Sequence, residues 1–127
     1  GVLNALLLAY FIHAIGIVLP AINGTLLFAL LSASLYGFTF VGIVSIVLTM
    51  AGRFYPTKPA KLMGMLTMSY GIPQIVAPTI AGYLAGSTGH YNASLLMASS
   101  FVLLGFFVIL SIKKWAAADI LLLEKSA

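Results

Sequence analysis

The chain has 127 residues, 62% hydrophobic and 6% charged, with a net charge of +4 and a mean hydropathy of +1.16. A soluble domain carries about a quarter charged residues, so this composition excludes a water-soluble surface. Cysteine is absent, which excludes disulfides, thiolate nucleophiles and thiolate metal sites.

No Asp, Glu, Lys or Arg occurs from Gly1 to Gly52, and none from Leu62 to Ile112. A helix needs about 20 apolar residues to cross a hydrocarbon core of about 30 Å, so each block holds two crossings and a tight turn. Backbone groups in lipid must be paired internally. Uncharged runs of this length fit helices better than barrel strands, which alternate over about 10 residues. The expected fold class is all-α and polytopic, with four transmembrane helices in a single domain over 1–127. The first span covers about 2–19 and ends at Pro20, where "PAING" turns on Asn23-Gly24. The second covers about 25–51, long enough to need tilt or bending. A loop at 52–61, "GRFYPTKPAK", leads to a third span at about 62–85. "GSTGHYN" then turns into a fourth span at about 91–112, and a tail follows at 113–127. The chain begins with Gly1 and shows no basic n-region or cleavage motif. It is expected to be an excerpt of something longer.

All six cations fall on alternate connections. Arg53, Lys58 and Lys61 lie between the second and third spans, and Lys113, Lys114 and Lys125 follow the fourth. Lys and Arg stay cytoplasmic, so the middle loop and the tail are expected inside and the two uncharged turns outside. Topology accounts for the positive charge, and nucleic acid is not an expected partner. Phe54, Tyr55 and Trp115 sit where amphipathic rings anchor at headgroups.

Small residues within the spans suit helix packing in lipid: Gly82 and Gly86 form a GxxxG, Ala77, Ala81 and Ala85 repeat beside it, and Ala33 pairs with Gly37. Helix breakers are placed more tellingly. "SYGIPQIVAPTIAG" sets Gly71, Pro73 and Pro78 inside the third span, with Gly37 and Gly42 at comparable depth in the second. Interrupted helices at matching depth point to a transporter site, although kinks also occur in helices that bind nothing.

Polar side chains in the spans are few. Tyr70 and Gln74 share one face of the third span, and Tyr36, Thr39 and Phe40 one face of the second. Opposed, these faces make a cavity with aromatic walls and a few hydrogen-bonding groups, suited to an amphipathic organic solute. The plainer alternative is that they bond to neighbouring helices, worth on average about 0.6 kcal/mol in lipid. His13 is the one intramembrane imidazole and a candidate proton relay, but a single carbonyl satisfies a neutral histidine. His90 sits in an outer turn and needs no special role. Asn92-Ala93-Ser94 has the glycosylation pattern but abuts the membrane, so it reads as coincidence. An enzyme lacks parts here: there is no carboxylate in the spans, no His-Glu cluster for a metal, no phosphate loop and no serine with an evident base. No catalytic residue, cofactor or metal is expected.

The run "RFYPTKPAKLMGMLTMSYGIPQIVAPTIAGYLAGSTGHYNASL" resembles the C-terminal part of major facilitator superfamily transporters. It is particularly similar to a bacterial subfamily of largely uncharacterised members. Tyr55, Pro56, Pro59, Ala60, Lys61, Ser69, Tyr70, Gly71, Gln74, Pro78, Gly82 and Tyr83 are among the positions that carry the pattern. The resemblance implies twelve spans in two halves with both termini cytoplasmic, in a bacterial plasma membrane. This chain would be the last four spans, and its partners the eight preceding helices, the lipid bilayer and an unidentified small solute. By the resemblance the second and third spans face the central cavity and the first and fourth are peripheral, which favours Tyr36, Thr39, Tyr70 and Gln74 and lowers the standing of His13. The rival readings are a stand-alone four-helix exporter of the small multidrug type, which needs a glutamate the first span lacks, and a non-transporting membrane subunit.

Overall fold

A computed structural model describes the backbone of residues 1–126 and the side chains of residues 1–116. Four helices follow one another: α1 (Val2–Ile22), α2 (Leu26–Phe54), α3 (Pro59–Thr88) and α4 (Asn92–Ser126). The described residues form no strand. Neighbouring helices run antiparallel. Ala14 pairs with Ser99 while Tyr10 meets Gly105 on α4, and His13 pairs with Thr39 while Gly16 meets Leu35 on α2. α1 packs along α2 and α4, and α3 touches the same two helices more lightly; among the described residues neither diagonal pair meets. The result is an up-down ring of four helices. Its alternation brings Arg53, Lys58 and Lys61 to the end of the ring that α4 reaches at Lys113 and Lys114.

Length and composition make α1, α2 and the 92–116 part of α4 apolar enough to cross a membrane. Four such spans are expected from the sequence, and α3 is the exception. Its 30 residues are long enough, at about 1.5 Å each, but glycines, prolines, Thr67, Ser69, Gln74 and Thr79 dilute its hydrocarbon.

The helix ends differ from the expected ones for local reasons. The connection between α2 and α3 shrinks from 52–61 to Tyr55–Lys58, because Pro59 occupies the first helical turn, where its missing amide costs nothing. α3 runs on to Thr88 and stops at Gly89, whose φ of 77° supplies the left-handed cap and whose amide bonds Ala85 O at 2.8 Å. At the first turn the Thr25 amide donates to Asn23 Oδ1 at 3.2 Å. The tail expected from residue 113 is helical backbone as far as Ser126. That stretch has no glycine or proline and is rich in Ala, Leu and Lys, all good helix formers. Lys125, with every side chain beyond Ala116, lies outside the described residues.

α1 does not end at Pro20 but continues to Ile22. A proline inside a helix leaves the carbonyl four residues earlier without its donor, here that of Gly16. The Ser32 hydroxyl of α2 donates to Gly16 O at 2.7 Å and replaces the lost bond. Close approach makes this possible: a Cβ at Gly16 would lie 3.1 Å from Leu35 Cβ. Helices in lipid gain little from hydrophobic association and depend on such packing and hydrogen bonding. Leu6, Leu7, Ala14 and Ile17 are buried alongside, whereas α3 has no buried residue.

Candidate functional site

The inner faces of the ring follow helical spacing. α1 contributes Tyr10 and His13, three residues apart. α2 contributes Phe40 and then aliphatic side chains at Val44, Val47 and Leu48. α3 contributes Leu66, Ser69 and Tyr70, and α4 contributes Val102. Residues three and four apart share a helix face, so each helix presents one stripe. Together the stripes line a half-open cavity of about 330 Å³, near the floor of the range of about 300–1,000 Å³ for small-molecule sites.

A row of rings crosses the bundle from α1 to α3. His13 stacks on Tyr36 with centroids 4.7 Å apart. Tyr36 lies nearly parallel to Phe40 at 6.1 Å, and Phe40 meets Tyr70 edge to face at 6.3 Å. Offset and edge-on arrangements at these separations suit the ring quadrupoles. Beneath the row, His13 Nδ1 and Thr39 Oγ1 are 2.6 Å apart, and Thr39 Oγ1 donates to Leu35 O at 2.6 Å. His13 is 7% exposed and Thr39 9%, so this bond is sealed within the α1–α2 contact. Ser99 Oγ of α4 donates to Ala14 O at 3.4 Å, one residue along from His13.

Of the cavity residues expected from the sequence, Phe40 and Tyr70 line the cavity, and Thr39 lies behind His13, which lines it too. Tyr36 joins the aromatic row from a more exposed position. Gln74 stays apart. It lies one turn beyond Tyr70, exposed, outside the cavity lining and with no side-chain hydrogen bond to another described residue. The helix breakers are absorbed without interruption: α2 is helical through Gly37 and Gly42, and α3 through Gly71, Pro73 and Pro78. A Cβ at Gly37, Gly42, Gly71, Gly82 or Gly86 would meet nothing within 4 Å. The close-packing glycines are Gly16, Gly52 and Gly105: an added Cβ would lie 3.1 Å from Leu35 Cβ, 3.1 Å from Met63 Cε and 2.9 Å from Tyr10 Cε1 respectively.

Sequence reasoning passes over Tyr10 and weighs His13 only as a candidate proton relay, not as a cavity residue. The available signal was their i, i+3 spacing on a span with no other titratable side chain. The resemblance lowers the standing of His13 by making its helix peripheral, whereas the ring arrangement puts His13 on the cavity lining. Among the described residues no group of three or more His, Asp or Glu could hold a metal.

The chain is an all-helical, multi-pass membrane protein with an aromatic-walled hollow between its helices, and its family places it in the transporter class. Over residues 1–110 the chain matches the family described as "Uncharacterised MFS-type transporter YbfB". It is a member of that family, within the major facilitator type. No curated protein and no solved structure matches the chain.

Proposed function

We propose that the chain is the last four helices of a twelve-helix secondary transporter that moves a small organic solute across a bacterial plasma membrane by alternating access. The observation that carries this reading is the cavity between the helices, walled by Phe40 and Tyr70 and holding a polar corner at His13. Its mixture of aromatic wall and few hydrogen-bonding groups suits an amphipathic solute. The glycines and prolines of α3 fit a helix that borders an aqueous path rather than lipid. Under this reading α3 is the fourth crossing, and the clustered Lys and Arg residues hold the 55–58 connection and the tail in the cytoplasm. The eight preceding helices cover the exposed faces of α2 and α3, including Gln74.

The test is uptake by vesicles containing the full-length protein. Phe40→Ala and Tyr70→Phe should reduce transport by about tenfold or more while membrane abundance stays at the native level; wild-type uptake in both variants would remove this cavity from the transport path.

A further inference from the structure

We propose that the cavity takes a small organic acid with an aromatic body, its carboxylate paired with protonated Nε2 of His13. The proposal rests on the transporter reading above and names the solute class of that site.

Proton accounting on the His13–Thr39 pair sets the starting point. Thr39 has one hydroxyl proton, and we assign it to its helical carbonyl acceptors, Leu35 O at 2.6 Å with Tyr36 O at 3.2 Å. Thr39 Oγ1 therefore accepts from His13, so Nδ1 carries a proton and the neutral ring keeps its lone pair on Nε2. Every buried side-chain nitrogen or oxygen among the described residues has a partner, and the single hydrogen bond of His13 is made through Nδ1. Nε2 is thus open, and the space beside it is the cavity that His13 lines. An imidazole 7% exposed, locked by one nitrogen and stacked on Tyr36, holds its other nitrogen at a fixed position facing the solute.

Charge selects the solute. From Gly1 to Ala116 there is no Asp or Glu, so the charge that this chain's walls can offer a solute is the positive one of imidazolium. An ammonium solute would find no counter-charge on these walls; a carboxylate would find one, plus a phenol donor from Tyr10 or Tyr70. The titratable groups facing the His13 ring are phenols from three helices: Tyr10 on α1, Tyr36 on α2 and Tyr70 on α3. The α4 wall supplies Val102 and Ser99, which do not titrate. The crossed rings of Phe40 and Tyr70 then form an edge and a face for an aromatic body, and the modest volume limits it to a small one.

Binding takes up one proton per solute. The carboxylate arrives from water as an anion, and the proton comes from hydronium or the acid form of the buffer, whose bond to hydrogen breaks as the N–H bond at Nε2 forms. Above the titration range of the imidazole, affinity should therefore fall about tenfold per pH unit.

The experiment is equilibrium binding of radiolabelled benzoate to the full-length protein in lipid nanodiscs, with benzylamine and benzamide as matched probes and empty nanodiscs subtracted. The expected result is saturable benzoate binding that weakens as pH rises, with benzylamine not bound. His13→Gln should weaken benzoate binding at least about tenfold and flatten its pH dependence. Thr39→Val, which keeps the imidazole but frees Nδ1, should weaken it less and keep the pH slope. Preference for benzylamine or benzamide, absence of benzoate binding, or native binding in His13→Gln would overturn the proposal. Should His13→Gln fail to fold, nitrogen NMR of histidine-labelled native protein decides. Benzoate should convert a neutral imidazole signal to imidazolium, and unchanged spectra under saturating benzoate would overturn the proposal. Uptake of a different solute with benzoate excluded leaves the transporter reading intact and removes the acid site. Benzoate binding without uptake of any solute does the reverse.

Discussion

α1 and α3 stand opposite each other across the ring, and they are held in opposite ways. α1 is gripped on two sides: it buries Leu6, Leu7, Ala14 and Ile17, brings Gly16 against α2, and lies against α4 at Gly105. Its backbone accepts hydroxyl donors from both neighbours, Ser32 at Gly16 O and Ser99 at Ala14 O. α3 is longer, buries nothing, and receives one inter-helix hydroxyl, Ser94 Oγ to Ala81 O at 3.4 Å. The lesson is that small residues alone do not identify a packed helix. α3 has the richer supply of glycine and alanine, yet the tight glycine contacts are made at Gly16, Gly52 and Gly105, none of them on α3 or in a GxxxG. What distinguishes these three is a large side chain directly opposite: Leu35, Met63 and Tyr10 respectively.

This contrast is open to direct attack. The largest effect is expected from Gly16→Leu, which forces a side chain into a space where even a Cβ sits 3.1 Å from Leu35. Overpacking of this kind costs about 1–3 kcal/mol, read as a lower midpoint for unfolding of the full-length protein in a denaturing-detergent titration. Gly82→Leu, placed where a Cβ meets nothing on the neighbouring helices of this chain, should lower that midpoint by less than Gly16→Leu does. Equal losses in the two variants would break the comparison by showing that α3 is packed as closely as α1. Next comes Gly105→Ala. The added methyl displaces the Tyr10 ring, at a cost near the low end of the overpacking range, about 1 kcal/mol. Because Tyr10 lines the cavity, this variant should also disturb transport, which Gly82→Leu should not. The smallest effect belongs to Ser32→Ala. It removes the hydroxyl that replaces the Pro20 amide, and inter-helix hydrogen bonds in bilayers average about 0.6 kcal/mol. Pairing it with Pro20→Ala sharpens the argument: restoring the backbone donor to Gly16 O should make Ser32→Ala nearly neutral.

Much of this was legible in the sequence. Two charge-free blocks separated by three cations fix the helix count and the up-down order, because lipid tolerates neither charge nor an unpaired backbone. The faces of Phe40 and Tyr70 followed from helical spacing alone. Other features depended on contacts that no local pattern encodes. Pro20 reads as a helix end because its lost hydrogen bond is a local fact, whereas the replacement donor is Ser32 on another helix. Gln74 and Tyr70 have the same spacing logic, but a ring of four helices turns only Tyr70 toward the cavity. His13 is the one imidazole inside a span, and its place at the cavity, bonded to Thr39 through Nδ1, depends on how α1 packs against α2. α3 shows a different limit: the residues that make it a poor membrane span by composition are the same ones that first marked it as a candidate cavity helix.

The central claim is that the ring encloses a water-reachable solute cavity rather than a hydrocarbon seam. Introducing a cysteine at Ser69, on the cavity wall, and separately at Leu104, on the exposed side of α4, tests it most directly in full-length protein in sealed vesicles, with any other cysteines removed. The account predicts that Ser69→Cys reacts with a charged, water-soluble thiol reagent and is protected by bound solute, while Leu104→Cys stays inert. An unreactive Ser69→Cys, or equal reaction at both positions, would contradict it.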